Sequence, residues 1–166
     1  LSNRRRVLAA LGGLGGTFAL AGCFRPMLAK DGRASTLLGR VELPPVDDRM
    51  GYYLHQSLRD RFGDTQVAEY RLEVSMRTET TGLGITQDDS ITRIRLRAFA
   101  NFRLFRTGEP RPVLTGAVTS ESGYSSTSSL YATRRISETV ERRLATDLGD
   151  RIARRIFAAA ERDGLA

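Results

Sequence analysis

The stretch Ile91–Arg106, ITRIRLRAFANFRLFR, alternates apolar and polar residues over an unusual length. Side chains on a strand point to opposite faces in turn, so this alternation sorts the residues into two sides. Ile94, Leu96, Ala98, Ala100, Phe102 and Leu104 fall on one side. Arg93, Arg95, Arg97, Phe99, Asn101, Arg103 and Phe105 fall on the other. The pattern predicts a long strand with its aliphatic side on a core and its arginine side toward water. A sheet built on it needs cover on one face only.

The neighbouring segments supply the rest of that sheet. Residues 68–78 set Tyr70, Leu72, Val74 and Met76 against Arg71, Glu73, Ser75 and Arg77, a second half-buried strand. Residues 80–89 (TTGLGITQDD) read as a turn or long hairpin loop. Thr107-Gly108-Glu109-Pro110 is a turn signal, residues 112–122 form a third run with a weaker pattern, and residues 124–129 (YSSTSS) read as a polar loop or frayed strand end. Residues 36–43 (TLLGRVEL) are a candidate first strand, stopped by Pro44-Pro45.

Two segments have helical spacing. Met50, Leu54, Leu58 and Phe62, with Tyr53, form a stripe capped by Asp47 or Asp48 and ended by Gly63-Asp64. Residues 130–162 form one long helix, with Ile136, Val140, Leu144, Leu148, Ile152 and Ile156 four apart. A strict step of four drifts by about 40° each time on a 3.6-residue helix. Ala145, Gly149, Ala153 and Phe157 widen the apolar surface on the leading side. Either this helix crosses a sheet obliquely, or several of its sides meet something, which hints at a surrounding partner. The predicted fold is an α+β two-layer sandwich of order β-α-β-β-β-α, with one mixed, mostly antiparallel four-stranded sheet and two helices on one face. The 166 residues suit one domain, and no repeat or linker divides it.

The chain carries a formal charge of +7, nearly all of it from arginine, since Lys30 is the single lysine. Three of the arginines, Arg4, Arg5 and Arg6, precede an uncharged run, Val7 to Leu20. This is the layout of a secretory signal, too short and Gly-rich for a membrane span of about 20 apolar residues. Gly12-Gly13-Leu14-Gly15-Gly16 lies within it, so a phosphate-loop reading of those glycines has little weight. Asn3 to Leu8 also resembles a twin-arginine export motif. The run ends in Leu20-Ala21-Gly22-Cys23, which looks like a bacterial lipobox around the only cysteine. Small residues fit a peptidase pocket, and a thiol at the first mature position accepts a diacylglyceryl group. The expected organisation is a signal at 1–22, a lipidated tether at 23–35 and one domain at 36–166. Removal of the signal leaves 23 basic and 19 acidic residues, a net +4. A multi-acyl anchor on Cys23 holds stably to a membrane. By resemblance, Phe24 in place of an aspartate after the cysteine favours the outer membrane.

The catalytic inventory is poor. His55 is the single histidine and reads as a helix-surface or packing residue. Asp88-Asp89 reads as a solvated turn. No Walker loop, Gly-x-Ser-x-Gly or metal-ligand spacing occurs, so neither catalytic residues, metal ligands nor a cofactor beyond the lipid on Cys23 are expected. The stronger feature is the stripe Arg93, Arg95, Arg97 and Arg103. Arginines two apart on a strand lie roughly 7 Å from one another and repel. Two arrangements relieve that repulsion. One is cross-strand pairing with acids such as Glu73 or Glu121. The other is an anionic ligand, for which the guanidinium fork suits phosphate, with Phe99 and Phe105 placed to meet aliphatic or sugar surface. A nucleic-acid partner is disfavoured for an exported lipoprotein. In an outer membrane the abundant phosphate-bearing amphiphile is lipopolysaccharide.

The lipobox followed by Phe24-Arg25-Pro26, the strand Thr92-Arg93-Ile94-Arg95-Leu96 and the turn Thr107-Gly108 resemble the LPS-assembly lipoprotein family, LptE. So do Leu114-Thr115-Gly116, Ser122-Gly123-Tyr124, and Leu130-Tyr131-Ala132-Thr133 leading into the long helix. The style is that of alphaproteobacterial members, and the resemblance covers about residues 23–160. Relatives often have Gly after the cysteine where this chain has Phe24. The resemblance implies a sheet with two helices, seated in the lumen of the large outer-membrane β-barrel of the LPS translocon as plug and assembly partner. It implies binding of LPS, a periplasmic-face membrane anchor and no catalysed reaction. Arg93, Arg95, Arg97 and Arg103 are the candidate LPS contacts. The competing expectation is a free-standing outer-membrane lipoprotein that binds a periplasmic anionic ligand or scaffolds an envelope complex.

Overall fold

The alternation of residues 91–106 becomes one unbroken strand at the centre of the sheet. The structure is a computed structural model that describes residues 32–45, 48–85, 91–126 and 129–165. The readings placed on Arg4–Arg6, Gly12–Gly16, Cys23, Asp47 and Asp88-Asp89 lie outside the described residues. The elements are β1 (Val41–Glu42), α1 (Arg49–Phe62), β2 (Tyr70–Ile85), β3 (Ile91–Arg106), β4 (Pro112–Ser125) and α2 (Leu130–Asp163). A 3-10 turn, Arg33–Leu37, precedes β1. The sheet order is β1-β2-β3-β4. β1 and β2 are parallel, with α1 as the crossover, and β2, β3 and β4 form an antiparallel meander.

Register puts like with like on the covered face. Val74 lies opposite Phe102 and Leu72 opposite Leu104, while Ala98 and Ala100 sit beside Ser120 and Val118. Phe102 also lies opposite Gly116, where a side chain does not fit: a Cβ there would come within 2.7 Å of the Phe102 ring at Cε1. Leu96, Ala98, Ala100, Phe102 and Leu104 are all buried, as the alternation predicts.

The helices close over this face. Asp48 caps α1 by accepting from the Gly51 N–H at 2.6 Å, and Gly63, at φ 79°, ends it where a left-handed residue is needed. The α1 stripe of Met50, Leu54, Leu58 and Phe62 is buried. α2 packs against α1, β3, β4 and the 3-10 turn, so its wide apolar surface is met on several sides by its own chain. That internal packing accounts for the drifting four-residue ridge, and the hint of a surrounding partner loses this support. The ridge begins at Val140, because Ile136 is 37% exposed. Where α1 and α2 cross, Gly149 lets Ser57 sit against the α2 backbone and donate to the Thr146 carbonyl at 3.0 Å.

Two boundaries differ from the sequence expectation. Residues 36–43 do not form one strand: Leu37 ends the 3-10 turn, Gly39 turns the chain at φ 70°, and only Val41–Glu42 pairs with β2. Leu37 and Val41 point into one core from two different local structures, which mimics a strand run in sequence. Ala34, just before this segment, is fully buried and its N–H donates to Glu161 Oε1 at 2.9 Å, so the packed domain already includes it. The second difference lies in β2, which runs to Ile85 through residues read as a loop. Residues 77–82 are exposed, so no burial alternation marks that stretch, and pairing with β3 holds it extended.

Candidate functional site

The sheet face away from the helices is open, and the arginine stripe lies along it. Arg93, Arg95, Arg97 and Arg103 project from β3 between β2 and β4 on either side. The odd-numbered residues Arg71, Glu73, Arg77 and Glu79 of β2 pair across to Phe105, Arg103, Phe99 and Arg97 of β3. Glu121 of β4 lies opposite Arg97. Across these three strands, six arginines (71, 77, 93, 95, 97 and 103) share the face with three glutamates (73, 79 and 121).

Both acids expected to pair with the stripe do so. Glu121 bridges two arginines: Arg97 donates through Nε and Nη2 to Oε2 at 2.9 and 2.7 Å, and Arg95 Nε lies 3.0 Å from Oε1. Hydrogen bonding from Arg97, with the added charge of Arg95, holds the Glu121 carboxyl below its ordinary value. Glu73 forms a second bridge, to Arg103 at 3.0 Å and Arg71 at 3.4 Å. Each triad carries two positive charges on one negative. Arg77 pairs with Glu79 along its own strand. Arg93 makes no ion pair among the described residues and is exposed.

The phenylalanines of the stripe are occupied by arginines. The Arg77 guanidinium carbon sits 4.1 Å from the centre of the Phe99 ring. Phe105 lies beneath Arg71 and Arg103, at 5.3 and 5.8 Å, and is only 8% exposed. Phe105 is therefore a platform that orders guanidinium groups, not the free aliphatic contact expected of it. At the end of the sheet that holds Arg93, a shallow groove is lined by Arg93, Arg95, Glu121, Gly123 and Tyr124. Arg71, Arg77 and Glu79, which complete the face, carry no signal by themselves in the sequence. The polar alternation of β2 shows their side, and only the cross-strand register shows their neighbours.

This face can hold anions that carry several charges. Its guanidinium groups are pre-ordered by stacking and bridging acids, with an excess of three positive charges on the three long strands and, at the end, Arg93 without an ion pair among the described residues. His55 takes no part: it is half-buried on α1, with its Nδ1 2.9 Å from the Pro44 carbonyl, in keeping with a helix-surface or packing residue. Among the described residues, no group of His, Cys, Asp and Glu could hold a metal ion. No helix among them is long and apolar enough to cross a membrane.

Solved structures share the architecture. A candidate lipoprotein from Caulobacter crescentus superposes with a TM-score of 0.63 at 22% identity, over 76% of this chain and 96% of that one. Rare lipoprotein B from Shewanella oneidensis gives 0.56 at 15% identity, over 72% of this chain and 95% of that one. A minor lipoprotein from Acinetobacter baumannii gives 0.55 at 18% identity, over 72% and 89%. At these identities the likeness is one of fold. No curated protein sequence matches the chain. The model of the LptE family, lipopolysaccharide-assembly, matches residues 38–156, from just after the 3-10 turn through β1 and all three long strands into the last turns of α2. The chain belongs to the LptE lipopolysaccharide-assembly family.

Proposed function

We propose that this protein is a lipid-anchored outer-membrane component of the machinery that moves lipopolysaccharide to the outer leaflet, and that it binds lipopolysaccharide with its open sheet face. Its partner is the large β-barrel of that machinery, which it plugs and helps to assemble. The observation that carries the ligand reading is the excess of arginine over glutamate on the three long strands, with Arg93 at the end making no ion pair among the described residues. Lipopolysaccharide presents phosphates on a sugar backbone, and the guanidinium fork binds phosphate oxygens in pairs. Arg93 and Arg95 make the first contacts in this reading. Arg97 and Arg103 continue the track, and the bridging acids Glu121 and Glu73 can yield their arginines to a more highly charged group. The family match supports the assembly role, and Cys23 is the attachment point for the lipid.

Two measurements test it. In the first, the C-terminally tagged protein is drawn from mildly solubilised outer membranes. A large barrel protein retained in equal amount supports the plug role. A protein that comes away alone, with the barrel present in the extract, overturns it in favour of a free-standing lipoprotein. In the second, R93E and R95E together are expected to weaken lipopolysaccharide binding by roughly tenfold or more, with a smaller salt dependence. Unchanged binding would remove the open face from the ligand role.

A further inference from the structure

We infer that the outer edge of β4 is a strand-addition site for an extended acidic segment of a partner protein. The inference rests on a different part of the molecule from the arginine stripe and does not depend on lipopolysaccharide binding. Sheet order makes β4 an edge. It spans 14 residues, while β1 at the opposite edge has two. A strand of that length offers roughly 45 Å of backbone, and no strand among the described residues pairs with its outer side.

Edge strands in isolated proteins are usually protected by charges, prolines, bulges or a short length. β4 has few of these. Its proline, Pro112, stands at the first position. Its one charged residue, Glu121, is turned onto the open face and held by Arg95 and Arg97. The middle of the strand, Gly116 to Ser120, is made of small and β-branched residues, with Ala117 and Thr119 exposed.

What lies beside the edge specifies the occupant. A groove runs between Ala117, Val118 and Thr119 of β4 and Arg151, Arg154 and Arg155 of α2. Asp147 fixes the two elements: it accepts from Ser120 Oγ at 2.6 Å and from Arg151 Nε at 2.8 Å. Arg154 and Arg155 are exposed and make no ion pair among the described residues. A segment paired to β4 would place alternate side chains over these arginines, and acidic side chains there would complete two ion pairs. A second copy of this chain is a poor occupant. Edge-to-edge pairing would bring two basic grooves together, and the nearby carboxylates Asp147 and Glu121 are already engaged. Charge therefore selects an acidic partner strand, recognised by backbone hydrogen bonds for affinity and by arginine for specificity.

The test uses the full chain in detergent and a fluorescent peptide of about ten residues, a typical strand length, alternating valine and glutamate. Controls are the same peptide with alternate backbone nitrogens methylated, and one alternating valine and lysine. Binding of the glutamate peptide, at least roughly tenfold weaker after methylation, is expected, as is slowed amide exchange in residues 117–119. R154E/R155E, at two exposed positions, should reverse the preference toward the lysine peptide. Equal binding of the methylated peptide would show that charge alone attracts it and would overturn strand addition. No binding up to about 1 mM, an affinity weaker than transient contacts, would overturn it as well. Dimers of the chain that the glutamate peptide does not dissolve would assign the edge to a second copy and overturn the partner reading.

Discussion

The two faces of one sheet are held by different physics. On the covered face, Leu72, Phe102, Leu104 and the α2 ridge are shut away from water, and each position is fixed by the volume around it. On the open face, arginines are ordered by glutamates and aromatic rings with half or more of many side chains still in water. Exposed ion pairs contribute little to stability, with a median near 0–1 kcal/mol. The covered face is therefore the stabilising one, and the open face is free to exchange its internal partners for external ones. Substitutions on the two sides should separate cleanly into loss of fold and change of binding.

Phe102→Ala should show the largest effect. The ring is 2% exposed and fills the space that Gly116 leaves open, so its removal should cost about 3–5 kcal/mol. A lowered urea midpoint at unchanged slope is the expected result. A cost below about 1 kcal/mol would mean that the covered face is loosely packed and that the contrast with the open face is overstated.

Gly149→Ala comes next and probes the helix crossing. A Cβ there would lie 2.7 Å from Ser57 Oγ and 2.8 Å from Ser57 Cβ, so the helices must separate or Ser57 must move. The expected loss is about 1–3 kcal/mol. Ser57→Gly in the same chain removes both clashing atoms and should recover part of it. A loss in the double variant equal to the sum of the two single losses would show that the two sites do not share the contact.

How much of this was legible in the sequence differs from one element to the next, and for one reason. Burial leaves a periodic trace, whereas pairing without burial does not. β3 and α2 are read nearly to the residue, because each has one side in the core along most of its length. The part of β2 beyond residue 78 is missed, because residues 79–82 are wet on both sides and their extended form comes from the ladder with β3. Residues 36–43 mislead for the opposite reason: Leu37 and Val41 are both buried, but from opposite sides of the turn at Gly39. The stripe Arg93 to Arg103 was visible at once as one side of a strand. The sequence named Glu73 and Glu121 as candidate partners, and cross-strand register decided how they share arginines between them.

Acid should act on the helix-covered side through Asp150. Arg61 donates to it through Nε and Nη2 at 2.8 and 3.0 Å, and this hydrogen bonding, then the Arg61 charge and Ser57, holds its carboxyl below the ordinary value. A depressed carboxyl contributes stability that is complete above its unfolded pKa, about 4. That contribution is lost as pH falls through the lower folded value. Asp150→Asn should cost on the order of 1 kcal/mol at neutral pH, since Arg61 is half exposed and partly screened. The same variant should lose less stability than the parent between pH 4 and more acid conditions. A variant whose stability falls as steeply as the parent's over that range would assign the acid sensitivity to other carboxylates.

Glu121→Gln should have the smallest effect on the fold and the most informative one on the open face. The Glu121 carboxylate keeps Arg95 and Arg97 on a shared partner while remaining in contact with water. Its loss is expected to leave the urea midpoint where it was, because no buried group is orphaned. It also releases two guanidinium groups beside the exposed Arg93 and raises the excess charge of the face by one. Binding of a phosphate-bearing amphiphile should therefore strengthen, and more so at low salt, where exposed charges act over longer distances. The opposite result, weaker binding with stability intact, would mean that Glu121 positions Arg95 and Arg97 for the ligand and that order on this face matters more than net charge. Weaker binding together with a lowered midpoint would place Glu121 among the groups that hold the sheet, and the division of labour between the two faces would fail at that residue.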